Sequence, residues 1–385
     1  MERYSSLWQS KSAFPSRDFR SCDYKGSWQK QFLNGYIDEG FLNGFPKATE
    51  KYANYKDEHL PEHLYKFFPV TTYSLIGLQN QSLFLSTPGN FNDTFDSYTG
   101  VAEYTYIKTY MLQELKKRHL IAADSTQDHL SKEEYLRLSC SNSEDLVRHL
   151  GAGRRTFFNE WHDIKEAKSK KLQMIFYDLL AEGRTECNQK IHAIRTAPVR
   201  VACFSNFGDD EELTKNTTMW SHYADNHKGF CIQYSLNFLD SPIKNVLKCG
   251  LYKVIYSAKI SKASPRELIK LGFDGDNELK INSLLAKTIY RALITKSRFW
   301  NYENEWRLII GKHDFGILKG DSISFPFINA IYLGCHIEDV VKRHIAEFAF
   351  ANNISVYQAR KNSERFELDL IPFTSEDLER DEGFP

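Results

Sequence analysis

The stretch LYKFFPVTTYSLIGLQNQSLFLS, residues 64–86, decides the fold. LYKFF (64–68) is short and rich in aromatics, which suits a strand. Thr71 and Thr72 offer an N-cap to the one-faced segment TYSLIGLQNQ, so a short helix is expected there. SLFLS (82–86) is a second strand, and FNDTFD (91–96) occupies the loop behind it. A strand, a short helix, a strand and a loop form a unit that a doubly wound sheet does not use.

The pattern persists outward from this unit. PVRVACFS (198–205), GFCIQYS (229–235), LYKVIYS (251–257), EWRLII (305–310) and AIYLG (330–334) read as further strands. ISVYQARK and RFELDLIPF close the chain as a hairpin, after an amphipathic helix in EDVVKRHIAEFAFAN. Short strands joined by both hairpins and helices make an α+β fold. Between the strand-rich flanks, residues 101–195 look helical. Tyr106, Tyr110, Met111 and Leu115 recur near the helical period, Ser141 with Glu144 forms a capping box, and a long helix is expected over 157–194. The division is therefore an N-terminal extension, 1–61, packed on the core, polar and aromatic with turn signals and no long periodic run; an α+β domain, 62–100 and 196–375; and a helical insertion, 101–195.

Composition narrows the function classes. Hydrophobic residues make up 42% of the 385, enough for a real core. Lys plus Arg and Asp plus Glu number 50 each, so no global field draws the chain to nucleic acid. No run approaches the roughly 18–20 apolar residues of a membrane span. The seven scattered cysteines form no CxxC pair, which points to reduced thiols and a cytoplasmic protein. No GxGxxG follows a strand and no P-loop is present.

Three motifs carry the candidate chemistry. In FNDTFD, Asn92 and Asp93 suit an Asx turn or the orientation of a ligand. MWSHYADNHKGF (219–230) concentrates Trp220, Ser221, His222, Tyr223 and His227. Its histidines are five apart, off the i, i+4 spacing of a helical metal site, so no metal is expected. His222 is a candidate binding or acid–base group. FWNYENEWRL (299–308) holds Glu303 and Glu305. On a strand, residues two apart share a face, and two adjacent carboxylates push one pKa up. Trp300, Tyr302 and Trp306 around them suggest burial. The plainer alternative is a solvated edge with Arg298 or Arg307 as ion-pair partner.

The set resembles a widespread bacterial family known mainly as a domain of unknown function. The matching residues are Tyr65, Lys66, Ser86 and Pro88, then Phe91 to Asp93 with Phe95 and Asp96, then Trp220 to Tyr223 with His227 and Gly229, then Trp300, Tyr302, Glu303 and Glu305 to Arg307. Thr94 stands where that family has proline, and the similarity runs over about 64–370.

The order of LYKFF strand, short helix, LFLS strand and late ENE is also similar to ADP-ribosyltransferases, including toxins that modify DNA. That resemblance implies a short-stranded mixed or antiparallel split sheet with a large helical insertion. It implies NAD, or a related nucleotide, as the substrate. Lys66 would take the NAD-gripping position (usually His or Arg) beside Tyr65, and Ser86 the small-hydroxyl position. Glu303 and Glu305 would form the catalytic pair, Glu305 facing the ribose cation and Glu303 activating the acceptor. Trp220 and Tyr223 would stack nicotinamide, with Ser221, Asn92 and Asp93 around them. A toxin or phage-defence effector is the implied setting. A nucleic-acid acceptor would meet the basic runs Lys116 to Arg118 and Lys168 with Lys170 and Lys171. Two other functions remain open: a nucleic-acid-directed hydrolase using His222 with Asp93 or Glu305, and a non-enzymatic ligand-binding module.

Overall fold

The computed structural model describes residues 27–117, 169–208, 210–237, 242–273 and 280–381. Its strands are β1 His63–Phe68, β2 Ser82–Phe84, β3 Thr99–Val101, β4 Val199–Ser205, β5 Phe230–Ser235, β6 Leu251–Lys253, β7 Ile255–Ser257, β8 Ser261–Ala263, β9 Thr295–Ser297, β10 Glu305–Gly311, β11 Ser322–Ser324, β12 Ile328–Leu333, β13 Ser355–Lys361 and β14 Leu368–Pro372. Eight of them form one sheet in the order β14-β13-β12-β5-β1-β4-β10-β6. Every pairing in it is antiparallel except β12 with β13. The parallel pair needs a crossover, and the helix Asp339–Ala351 supplies it. The fold is thus α+β with a mixed sheet.

One seam in this sheet bears on the site. β1 runs beside β5 over six residue pairs, yet it meets β4 only at Tyr65 and Ser205. Further along β4 the vacated edge is taken by Ser86, which exchanges both backbone hydrogen bonds with Val201. β1 and β4 therefore share one ladder pair, and Ser86 continues the pairing along β4.

One face of the sheet packs a single core of Leu64, Phe204, Leu308 and Ile331 under Ile345 and Ala349 of the crossover helix. The other face carries two cores. One gathers Val199, Val201 and Ile309 under helices Trp28–Asn43 and Ser283–Leu293. The second gathers Tyr65, Phe67, Cys231 and Tyr332 under Trp220. Phe91 and Cys203 pack on the first of these, Tyr223 and Tyr302 on the second. The candidate site lies where the two meet.

Local chemistry explains several elements. Thr71 caps helix Thr72–Gln79 in a reciprocal box with Ser74. The N-terminal segment corrects the sequence reading. Residues 28–57 form two helices, Trp28–Asn43 and Phe45–Asp57, with Phe32, Leu33, Ile37 and Ala53 in the core. Gly35 and Gly40 sit inside or at the end of the first helix and permit close packing there. A Cβ at Gly35 would lie 2.4 Å from the Tyr52 hydroxyl, and one at Gly40 2.4 Å from the Phe45 ring. The long helix spans Ser169–Arg195. Residues 157–168, the 141–144 capping box, Arg118 and Lys168 lie outside the described residues. Among the described residues no helix is long and apolar enough to cross a membrane.

Candidate active site

The site is assembled by a turn. Strands β7 and β9 run parallel and set Tyr256 opposite Lys296. The chain then enters the 3-10 turn Arg298–Glu303 and exits through Asn304 in the left-handed region, at φ 43°. Asparagine tolerates that conformation better than most side chains. This turn brings Glu303 back onto Lys296, seven residues behind it. The expectation that Glu303 and Glu305 share a strand face needs correction, because only Glu305 is in β10. The two carboxylates meet through the turn and a common cation, not through strand alternation.

Lys296 is that cation. Its Nζ lies 2.5 Å from Glu303 Oε2 and 2.9 Å from Glu305 Oε2. Arg307 holds Glu305 from the other side, Nε to Oε1 at 2.7 Å, and grips both oxygens of Asp96 at 2.7 Å each. Arg307 is fully buried, and the side chains of Glu303, Glu305 and Asp96 are no more than 4% exposed. Two cations thus face three carboxyl groups away from water.

Such a group is electroneutral when one carboxyl keeps its proton, and the environment selects which. Burial raises the pKa of Glu303, and its neighbour Glu305 raises it further; Lys296 and Tyr223 oppose this without cancelling it. Burial would raise Glu305 too, but Arg307 and Lys296 outweigh it and hold that pKa at about 2. For Lys296, burial favours the neutral amine, yet the two glutamates more than offset it and the pKa rises.

A short helix walls the outer side. Thr217–Tyr223 sets His222 and Tyr223 against Tyr302 and Glu303, pair by pair. His222 Nδ1 is 3.1 Å from the Tyr302 hydroxyl, and Tyr223 donates to Glu303 Oε1 at 2.5 Å. Asn216 ties the same turn down through the carbonyl of Tyr302. Burial and Glu303 raise the Tyr223 pKa, and Asn92 beside it opposes them. His222 and Asn92 are exposed, and Tyr223 and Tyr302 half-buried, so this rim is what a substrate would meet.

The other expected residues have different duties. Trp220 is fully buried between Phe67 and His227, so it stacks core rings and not a ligand. Ser221 donates to the Thr217 carbonyl and lies 3.3 Å from His227 Nε2. These contacts brace a reversal of three left-handed residues, Asp225, Asn226 and His227, that ends at Gly229. A Cβ on Gly229 would lie 2.0 Å from the Phe68 carbonyl oxygen. Asp93 accepts the Phe95 N–H in an Asx turn. Lys66 sits on the opposite sheet face from Glu305, over Phe68 and Phe204, and donates to the Cys203 carbonyl. Ser86 is at the seam. Tyr65 is on the site's face, but its hydroxyl donates to Asp210 and accepts from Gln233.

Sequence reading missed Lys296 altogether and gave Asp96 no role. No local spacing links Lys296 to the glutamates, and Asp96 is 211 positions from its partner Arg307.

Residues 219–308 match the family model described as "Protein of unknown function (DUF2971)". The match takes in the His222 helix, Lys296 and both glutamates, and is narrower than the expected 64–370. No curated protein and no solved structure matches the chain.

Proposed function

We propose that this chain is an ADP-ribosyltransferase-like enzyme that cleaves the nicotinamide–ribose bond of NAD and passes the ribosyl group to a hydroxyl-bearing or nitrogen acceptor. The observation that carries the proposal is the pair of buried glutamates bridged by Lys296, with pKa values shifted in opposite directions, set just inside a polar, aromatic rim. Breaking the C1′–N bond leaves the electron pair on nicotinamide and positive charge on the ribose. A fixed anion beside that cation lowers the barrier. Glu305 is such an anion, held by two cations. Its oxygens are engaged and buried, so it acts as a field and not as a direct contact. Glu303 is the better proton acceptor, because a raised carboxyl pKa brings base strength nearer neutral pH. Once Glu303 has given up its own proton, the nucleophile's proton passes to the Tyr223 oxygen as Tyr223 gives its own to Glu303. These are the roles that the resemblance implied, with Glu305 acting at a distance. The acceptor, nucleic acid or protein, meets the rim of His222, Tyr302 and Asn92.

The test is nicotinamide release from NAD by the full chain and by Glu303→Gln, with NAD affinity measured by calorimetry. Release should fall by about a hundredfold or more in the variant, the size of a lost general base, while affinity holds. A wild-type chain that neither binds NAD nor releases nicotinamide rules the activity out. One observation favours a second function, a ligand-binding module without turnover: all four oxygens of Glu303 and Glu305 already have internal donors. NAD binding with no release would decide for it.

A further inference from the structure

The FNDTFD loop lies on the surface, with Asn92 exposed and Phe95 61% exposed, yet it sends one carboxylate inward. Asp96 reaches Arg307 with both oxygens, and its Oδ2 lies 3.7 Å from Lys296. Ser97, next along and also left-handed, donates to Asp96 and accepts from Arg307. Phe91 lies over the guanidinium at 5.2 Å. The Asx turn at Asp93 and the bond from Asp96 N to the Asp93 carbonyl shape the loop so that residue 96 points down.

The charge count makes this contact more than a tether. With Asp96 seated, two cations serve three carboxyl groups. Without it, the same two cations serve Glu303 and Glu305 alone, and both can ionise. We propose that Asp96 is a positioning residue, and that seating of the 91–97 loop decides whether Glu303 keeps a proton. The proposal rests on the acid–base role of Glu303 given above. It makes the loop a regulatory element, since a substrate that lifts or presses it would switch the base on or off.

Several other groups face Glu303 and stay in place when the loop leaves. Lys296 comes from β9, Glu305 and Arg307 from β10, and Tyr256 from β7. Tyr223 and His222 come from the helix above, and Tyr302 precedes Glu303 in its own turn. Cys203 of β4 touches Glu305, and Lys66 senses that same glutamate from the far face. Among these only Asp96 arrives on a surface loop.

Carbon-13 NMR of side-chain-labelled glutamate, with the Glu303 signal identified from the Glu303→Gln spectrum, reads the proton directly and needs no NAD. The Asp96→Asn variant should lower the Glu303 midpoint by about one unit or more, the size of a lost neighbouring carboxylate. Asp96→Glu should restore it in part. Asp93→Ala loosens the loop and keeps Asp96, so it should move the midpoint the same way by less. An unmoved midpoint in Asp96→Asn overturns the proposal. Should that variant not fold, an unmoved midpoint in Asp93→Ala does so. A shifted midpoint in a chain that releases no nicotinamide supports the loop's role and removes only the NAD chemistry.

Discussion

Two of the buried lysines, Lys296 and Lys56, behave oppositely. Lys296 lies among carboxylates, and its pKa is raised. Lys56 lies among rings: Trp28, Phe32 and Tyr252 have centroids 5.3, 4.3 and 4.0 Å from its Nζ. It donates to the Leu251 carbonyl, and among the described residues no carboxylate pairs with it. Burial lowers its pKa to about 7, with only Cys249 opposing. Both ammonium groups lose water. Rings and a carbonyl return part of that loss, and a carboxylate returns more than all of it. The partner, not the depth, sets the sign.

The largest effect should come from breaking the charged side of this comparison. Arg307→Met leaves Asp96 and Glu305 buried beside one cation instead of two. It should cost about 3–5 kcal/mol in urea unfolding, the usual loss when a buried pair is broken from one side. Stability within 1 kcal/mol of wild type would mean that the cluster holds nothing together.

The lone lysine should respond the other way. Its folded pKa of about 7 lies below the unfolded value of 10.5. Between the two the unfolded chain binds more protons, so the Lys56 contribution makes stability rise with pH across that window. Below pH 7 the penalty is complete. Lys56→Met should remove that slope and add on the order of a few kcal/mol at pH 7. Unfolding curves at pH 6, 7, 8 and 9 would show it, and an equal slope in variant and wild type would refute the uncompensated lysine.

The smallest effect sharpens the acid side. Tyr223→Phe removes one donor to Glu303, costs about 1 kcal/mol and should raise the Glu303 pKa further. Glu303 has a folded pKa above its unfolded value, so its contribution is present at low pH and lost as pH rises through the folded value. Glu305 is the reverse, and its contribution is lost as pH falls from 4.5 toward 2. Stability against pH for Tyr223→Phe should extend the Glu303 window upward and leave the Glu305 window alone.

Much of the fold was readable along the chain, and less of the site. The strands at 63–68, 199–205 and 305–311 and the Thr71 cap follow from short-range pattern and propensity. The 28–57 helices did not show because glycine is read locally as a breaker, whereas Tyr52 and Phe45 require it at 35 and 40. Burial of Glu303 and Glu305 was legible from the aromatics beside them, and so was a split between their pKa values. Which glutamate would rise was not, since Arg307 and Lys296 decide it. Trp220 and Ser221 misled because a ring or hydroxyl suited to a ligand serves equally well to brace a strained turn.

By itself, then, the sequence determined the main strands, the α+β class and the segments that carry the polar residues, because hydrogen bonding and side-chain periodicity act over a few positions. Only the tertiary structure decided that Asp96, Lys296 and Arg307 meet the two glutamates, and that the Glu303 pKa rises while the Glu305 pKa falls. Those outcomes depend on removing charges from water and on who their neighbours then are, and both are set by parts of the chain up to 211 positions apart.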